Sequence, residues 1–165
     1  MDKRILLSVF LLPALALGAN SPDSSFYKHA AEAGMGEVEL GKLAEAKAAD
    51  TSVKDFAAMM VKDHTQANEE LKKLAASKDI KLPGGPGTAN DAKKLELKAL
   101  SGEHFDKSYV SNQVKAHKDT IDLLNKEISS GQDADAKAFA QKILPTVQSH
   151  LSAIEKIADS KGIKP

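Results

Sequence analysis

Four polar side chains stand where helical periodicity calls for apolar ones: Glu37, His64, His117 and His150. The stripe Val53, Ala57, Met60, His64, Ala67, Leu71 and Leu74 recurs at spacings of three and four, which is one face of an α-helix. Phe26, Ala30, Ala33, Glu37, Leu40 and Ala44 form a similar stripe, as do Val110, Val114, His117, Ile121, Leu124 and Ile128. The last is Ala136, Ala140, Ile143, Val147, His150, Ile154 and Ile157. Burying a polar group unpaired costs on the order of 1–3 kcal/mol, and a charge costs more. Three imidazoles and a carboxylate facing one another therefore need a common partner. A single zinc, iron or copper ion is such a partner, because neutral imidazole nitrogen and carboxylate oxygen are ordinary ligands for all three. A hydrogen-bonded polar layer, with Glu37 paired to one protonated histidine, satisfies the same groups without a metal.

Whether the four meet depends on helix lengths. At about 1.5 Å per residue, Glu37 and His64 each lie about 16–18 Å from the end of the molecule where the first two helices join. His117 falls at about the same height and His150 roughly one turn further along. The expected metal set is thus Glu37, His64, His117 and His150, with no catalytic residue and no organic cofactor assigned. Ferritin-like di-iron centres take a Glu from each of two helices and a Glu-x-x-His from each of the other two. Here Val61, Val114 and Val147 stand three residues before the histidines. The expectation is a mononuclear site, not a di-iron centre.

Nearby residues weigh less. Asp63 suits either a partner for a ligand histidine or, as expected here, a solvated surface acid. Met60 can bind Cu(I) but is expected as core filler. His29 and His104 fall off the layer and are expected at the surface. Glu39 points away from Glu37, and Asp106 is read as a favourable charge at a helix N-terminus.

The elements that must position these groups follow from caps and breakers. Asp23, Ser24 and Ser25 are good N-cap types, and a helix is expected over 26–48. Gly34, Gly36 and Gly41 lie within it, each costing about 1 kcal/mol against Ala. Three glycines imply close approach of a neighbour, or else a weaker helix. Asp50, Thr51 and Ser52 make a short link to a second helix over 52–77, so the two are antiparallel neighbours. The run Leu82-Pro83-Gly84-Gly85-Pro86-Gly87-Thr88-Ala89-Asn90 is a loop. A short helix over 91–100 follows, docking by Leu95, Ala99 and Leu100. A long helix over 103–129 stops at Ser130-Gly131, and Asp133 caps a last helix reaching 160, with a kink expected at Pro145. No low-complexity segment and no long internal repeat stands out. The reading is all-α: an antiparallel four-helix bundle with a short extra helix in the crossover.

Composition agrees. The chain has 165 residues, enough for one domain with a core, and only 4% aromatics and no Trp, so that core is Ala, Leu, Val and Ile. A formal net charge of zero argues against a nucleic-acid partner. The absence of Cys excludes disulfides, thiolate metal sites and thiol nucleophiles. Lys3 and Arg4 precede an apolar run over 5–17, broken by Pro13 and followed by small residues at Ala16, Gly18 and Ala19. This reads as a secretory signal peptide over 1–19, leaving a domain over 20–165. The run is too short and too interrupted for a membrane span. An exported protein of the periplasm or cell envelope is expected, with no membrane span in the mature chain.

The stretch Gly34-Met35-Gly36-Glu37-Val38-Glu39-Leu40-Gly41-Lys42-Leu43-Ala44 resembles the first-helix signature of an exported bacterial family. That family is domain of unknown function 4142, of the ferritin-like superfamily. Phe56-Ala57 to Asn68, Leu100-Ser101-Gly102 with Phe105-Asp106 and Tyr109-Val110, and Leu144-Pro145-Thr146 with His150-Leu151 extend the resemblance over about 26–158. It implies a ferritin-like bundle and an envelope location, and it brings no established activity. Members are often labelled outer-membrane proteins, yet no β-barrel alternation occurs in this sequence. The function expected from the residues is one transition-metal ion held in the bundle core, for metal handling or envelope stress protection. An enzymatic role is less favoured, since it needs an open coordination position and a solvent path. The alternative is a non-metal structural or partner-binding bundle.

Overall fold

The computed structural model of the chain describes residues 22–164. The signal-peptide reading of residues 1–19 lies outside them. Five helices follow in order: α1 (Pro22–Lys47), α2 (Thr51–Ser77), α3 (Thr88–Ala99), α4 (Gly102–Ser130) and α5 (Ala134–Ser160). No strand occurs among the described residues. No helix among them is long and apolar enough to cross a membrane.

α1 packs chiefly on α2, and α4 on α5, so the chain forms two helical hairpins laid against each other. Gly41 lets the first pair approach closely. A Cβ there would lie 2.8 Å from Cγ2 of Val61 and 3.1 Å from the Ala57 carbonyl oxygen. A Cβ on Gly36 would meet the Asn90 side chain at 2.5 Å. That amide donates to the Glu32 carbonyl of α1 at 3.4 Å, which ties the start of α3 to α1, and to the Pro86 carbonyl at 2.8 Å. The glycines of α1 thus mark close approach.

The apolar stripes segregate into two clusters. One gathers Leu40, Ala44, Val53, Met60, Phe105, Val114 and Ile154, among others. The other gathers Phe26, Ala31, Leu71, Leu124, Phe139 and Val147. Along α1, α2, α4 and α5 in turn, Glu37, His64, His117 and His150 fall between the two. The polar groups therefore interrupt the core at one level, with apolar packing above and below.

The hairpins tie each other shut at their turns. Asp106 Oδ1 accepts the Ala49 N–H at 3.0 Å, and its Oδ2 accepts the Asp50 N–H at 2.9 Å. At the opposite end, Asp23 Oδ1 accepts the N–H groups of Gln132 at 2.7 Å and Asp133 at 3.0 Å. Asp50 and Asp133 cap α2 and α5, each accepting the N–H two residues on. Lys161, the C-cap of α5, pairs with Asp50, and Lys78, the C-cap of α2, pairs with Asp133 at 2.9 Å. Asp23, Asp50 and Lys78 become Asp106, Asp133 and Lys161 on adding 83 residues. The same offset relates Phe56 to Phe139, Ala57 to Ala140, Ala75 to Ala158 and Ile80 to Ile163. Ile80 and Ile163 donate back to the carbonyls of Ala75 and Ala158, both at 2.9 Å. The chain is thus an internal repeat of one hairpin, contrary to the expectation of none; the shared residues are too scattered to form a contiguous motif.

Several local expectations are corrected. α1 begins at Pro22, which suits the first turn of a helix because it lacks an N–H; Asp23 lies inside that turn and serves the far hairpin. Asp106 is buried and is likewise a tie to a distant turn, beyond any local effect on α4. α3 starts at Thr88 and docks through Leu97, which is fully buried, while Leu95 is 72% exposed and Ala99 is exposed. Pro145 lies inside α5, which is assigned over Ala134–Ser160.

Candidate metal centre

His64, His117 and His150 come from α2, α4 and α5, and all three are buried. Their ring centroids lie 6.0, 5.6 and 5.6 Å apart for His64–His117, His64–His150 and His117–His150. One nitrogen from each ring lies within 4.8 Å of the others. His64 Nε2, His117 Nε2 and His150 Nδ1 have no hydrogen-bond partner among the described residues. Three converging acceptor-capable nitrogens without a protein donor are the arrangement that a cation resolves.

The remaining ring nitrogens of two of these histidines are engaged. His117 Nδ1 lies 2.8 Å from the Gln113 carbonyl oxygen, one turn back on α4. That contact requires an N–H at Nδ1 and leaves Nε2 as the acceptor facing the cluster. His150 Nε2 lies 3.0 Å from Oδ2 of Asp63 on α2. A proton there leaves Nδ1 free to face the cluster. Carboxylate–histidine pairs of this kind orient metal-binding rings and raise their basicity. Asp63 is therefore not the solvated acid expected from its position, although its side chain is 29% exposed. Adjacency to His64 hides the partnership, because the ring it meets belongs to another helix.

Glu37 is buried on α1, the long helix that adds no histidine to this group, and its Oε2 has no hydrogen-bond partner among the described residues. It lies outside the three-histidine group. Burial raises its pKa, against the lowering influence of His117 and Gln113. Gln113 is itself buried beside Glu37, and the buried Tyr109 hydroxyl has no hydrogen-bond partner among the described residues. Neither residue interrupts an apolar stripe, so periodicity gives no signal for them. His64 is pushed down to about 3 by burial and by the neighbouring rings of His117 and His150. His150 is also lowered, by burial first, with the Asp63 hydrogen bond opposing. Both rings therefore stay neutral at ordinary pH, the form that ligates metals. Met60 is fully buried in the apolar cluster, and His29 and His104 are exposed, as expected. Glu39 forms an ion pair with Lys94 at 2.6 Å.

The repeat sharpens the picture. Its 83-residue offset places Gly34 opposite His117, Ala67 opposite His150 and Val147 opposite His64. Those three small or apolar residues, with His64 itself, line a cavity of about 40 Å³ between the hairpins. One half-layer carries imidazoles and its counterpart carries almost none.

The family model for domain of unknown function 4142 matches residues 13–157. The chain belongs to that family. Curated protein sequences give no match to this DUF4142 chain. Among solved structures it is similar to a presumed secreted DUF305 protein from Streptomyces coelicolor, with a TM-score of 0.76 at 15% identity. That match covers 89% of this chain and 98% of the other. A DUF305 fragment from Deinococcus radiodurans gives a TM-score of 0.74 at 12% identity, covering 85% and 97%. At such identities the likeness concerns the fold.

Proposed function

We propose that this DUF4142 chain is an exported, ferritin-like antiparallel four-helix bundle that holds one transition-metal ion on His64, His117 and His150. The carrying observation is the group of three buried histidines, each offering one ring nitrogen within 4.8 Å of the others and each having a ring nitrogen without a hydrogen-bond partner among the described residues. Glu37, from the fourth long helix, supplies the negative charge and the fourth donor, directly or through a water. Zinc, copper and iron all suit three imidazoles and a carboxylate. The role is metal handling or protection of the cell envelope. Export is supported by the leader-like pattern over 1–19 and by the Streptomyces neighbour described as a presumed secreted protein.

The test is metal analysis of untagged protein purified from its native compartment. One ion per chain, with a thermal shift on adding zinc, copper or iron to stripped protein, is the expected result. Ligand present at a hundred times its dissociation constant stabilises by about 2.7 kcal/mol. Sub-stoichiometric metal and no shift with any of the three ions would count against the reading. Joint replacement of His64, His117 and His150 by Leu separates it from a purely structural polar layer. Loss of the metal-induced shift, with the helical fold retained, supports the metal centre.

A further inference from the structure

The end of the molecule where α1 meets the α4–α5 turn carries a carboxyl pair that the three-imidazole layer does not use. Asp23 is fully buried and already accepts two backbone N–H groups through Oδ1. Glu127, in the last turns of α4, is buried beside it, and the two carboxyl groups are hydrogen-bonding neighbours. Oδ2 of Asp23 and Oε1 of Glu127 receive no donor from any other group among the described residues. Gly131 leaves the room that Glu127 occupies: a Cβ there would lie 2.4 Å from Oε1. Two buried carboxylates in contact cannot both ionise cheaply, and a single proton between them supplies the missing donor.

We propose that Glu127 and Asp23 share one proton and form a latch, which holds the start of α1 onto the α4–α5 turn and loosens as pH rises through neutrality. Burial pushes Glu127 up to about 7, with the charges of Asp23 and Asp133 adding to it and Lys137 opposing. Burial also raises Asp23, but the N–H groups of Asp133 and Gln132 and the Glu127 carboxyl outweigh it and hold Asp23 below its ordinary value. Asp23 is thus the ionised partner and Glu127 the protonated one. Other charged groups also face this end. Lys78, at the end of α2, bridges Asp133 at 2.9 Å and Asp135 at 2.8 Å, and Tyr27 of α1 donates to Asp133 at 3.1 Å. His29 and Lys126 line the surface hollow over Glu127. The opposite end is a built-in control. There Asp106 holds the Ala49 and Asp50 amides, one on each carboxylate oxygen, and the 83-residue offset puts buried Ala44 where Glu127 stands.

Folded protein binds a proton at Glu127 that the unfolded chain releases above about 4.5, so the stabilisation is full below that value and is lost as pH rises to about 7. The test compares the full chain with Glu127→Gln, which keeps the shape and the donor but cannot ionise. At pH 5 the two should melt together; at pH 8 the variant should melt higher by roughly 5 °C. Hydrogen-exchange protection of the Gln132 and Asp133 amides should fall at least tenfold in the wild type between pH 6 and pH 8, and hold in the variant. Asp23→Asn, which removes the facing charge, should abolish the pH dependence of the difference. Wild type and Glu127→Gln tracking each other from pH 5 to 8, or protection that ignores pH, would overturn the latch. So would rescue of the wild type by calcium at pH 8 without effect on the variant, which would put a cation in place of the proton.

Discussion

Asp63 and His150, 87 residues apart in the chain, meet with Oδ2 of the acid 3.0 Å from Nε2 of the ring. The contact joins α2 to α5 and leaves Nδ1 of His150 as the ring nitrogen without a hydrogen-bond partner among the described residues. It makes Asp63 the outer partner of the proposed centre. Asp63→Asn should weaken affinity for the bound ion by about 10–100-fold. A chelator-competition titration measures this, and Asp55→Asn, an exposed change on the same helix, serves as the control.

The stripped protein should lose stability in acid through the same layer. The unfolded imidazole of His64 takes up a proton below about 6.5, while the folded one resists down to about 3. Stability from this residue is therefore present above the unfolded value and is lost as pH falls. At 1.36 kcal/mol per pH unit the loss by pH 4.5 is about 2–3 kcal/mol. His64→Leu should flatten that decline in urea melts between pH 6.5 and 4.5. Glu127 acts in the opposite direction over the same range, so the comparison between variant and wild type carries the answer.

Asp106→Ala removes the acceptor for two backbone N–H groups at the α1–α2 turn. Hydrogen bonds to charged groups contribute about 1.5–3 kcal/mol each, and the orphaned N–H groups add a desolvation cost. A loss of about 3 kcal/mol is expected by chemical denaturation. Asp106→Asn, which keeps one acceptor oxygen, should lose less.

Gly41→Val should destabilise by about 2–4 kcal/mol despite removing a helix glycine. The added atoms would press on Val61 and on the Ala57 carbonyl, which is backbone and cannot rotate away. Gly84→Val, with nothing within 4 Å, should be close to neutral. Thermal melts of the two variants side by side distinguish crowding from propensity.

Helix content was legible because stripes such as Val53 to Leu74 repeat cleanly over several turns, and each boundary carried Gly, Pro or Asp. The three histidines were legible for the same reason: each breaks an apolar stripe, and counting residues from the turns puts His64 and His117 at one height and His150 within about one turn of them. What periodicity cannot show is which groups meet across helices. Asp63, Asp106 and Asp23 sit at positions that look solvated or locally capping, and each proves to serve an element 50 or more residues away. The side that α3 buries is not legible in the sequence because Leu95 and Leu97 are equally apolar. Only the tertiary position of α1 decides between them. The internal repeat was hidden in scattered identities whose meaning appears only once their hydrogen bonds are seen to match.

The ties at the two turns are isologous: what the first hairpin offers the second, the second returns. A homodimer of identical hairpins would close by the same contacts, but its two-fold axis would duplicate every imidazole, giving even numbers only. Covalent fusion of two unequal hairpins lifts that restriction. An odd set of ligands, drawn one from α2 and two from the α4–α5 half, becomes possible in a frame that otherwise obeys the symmetry of a dimer.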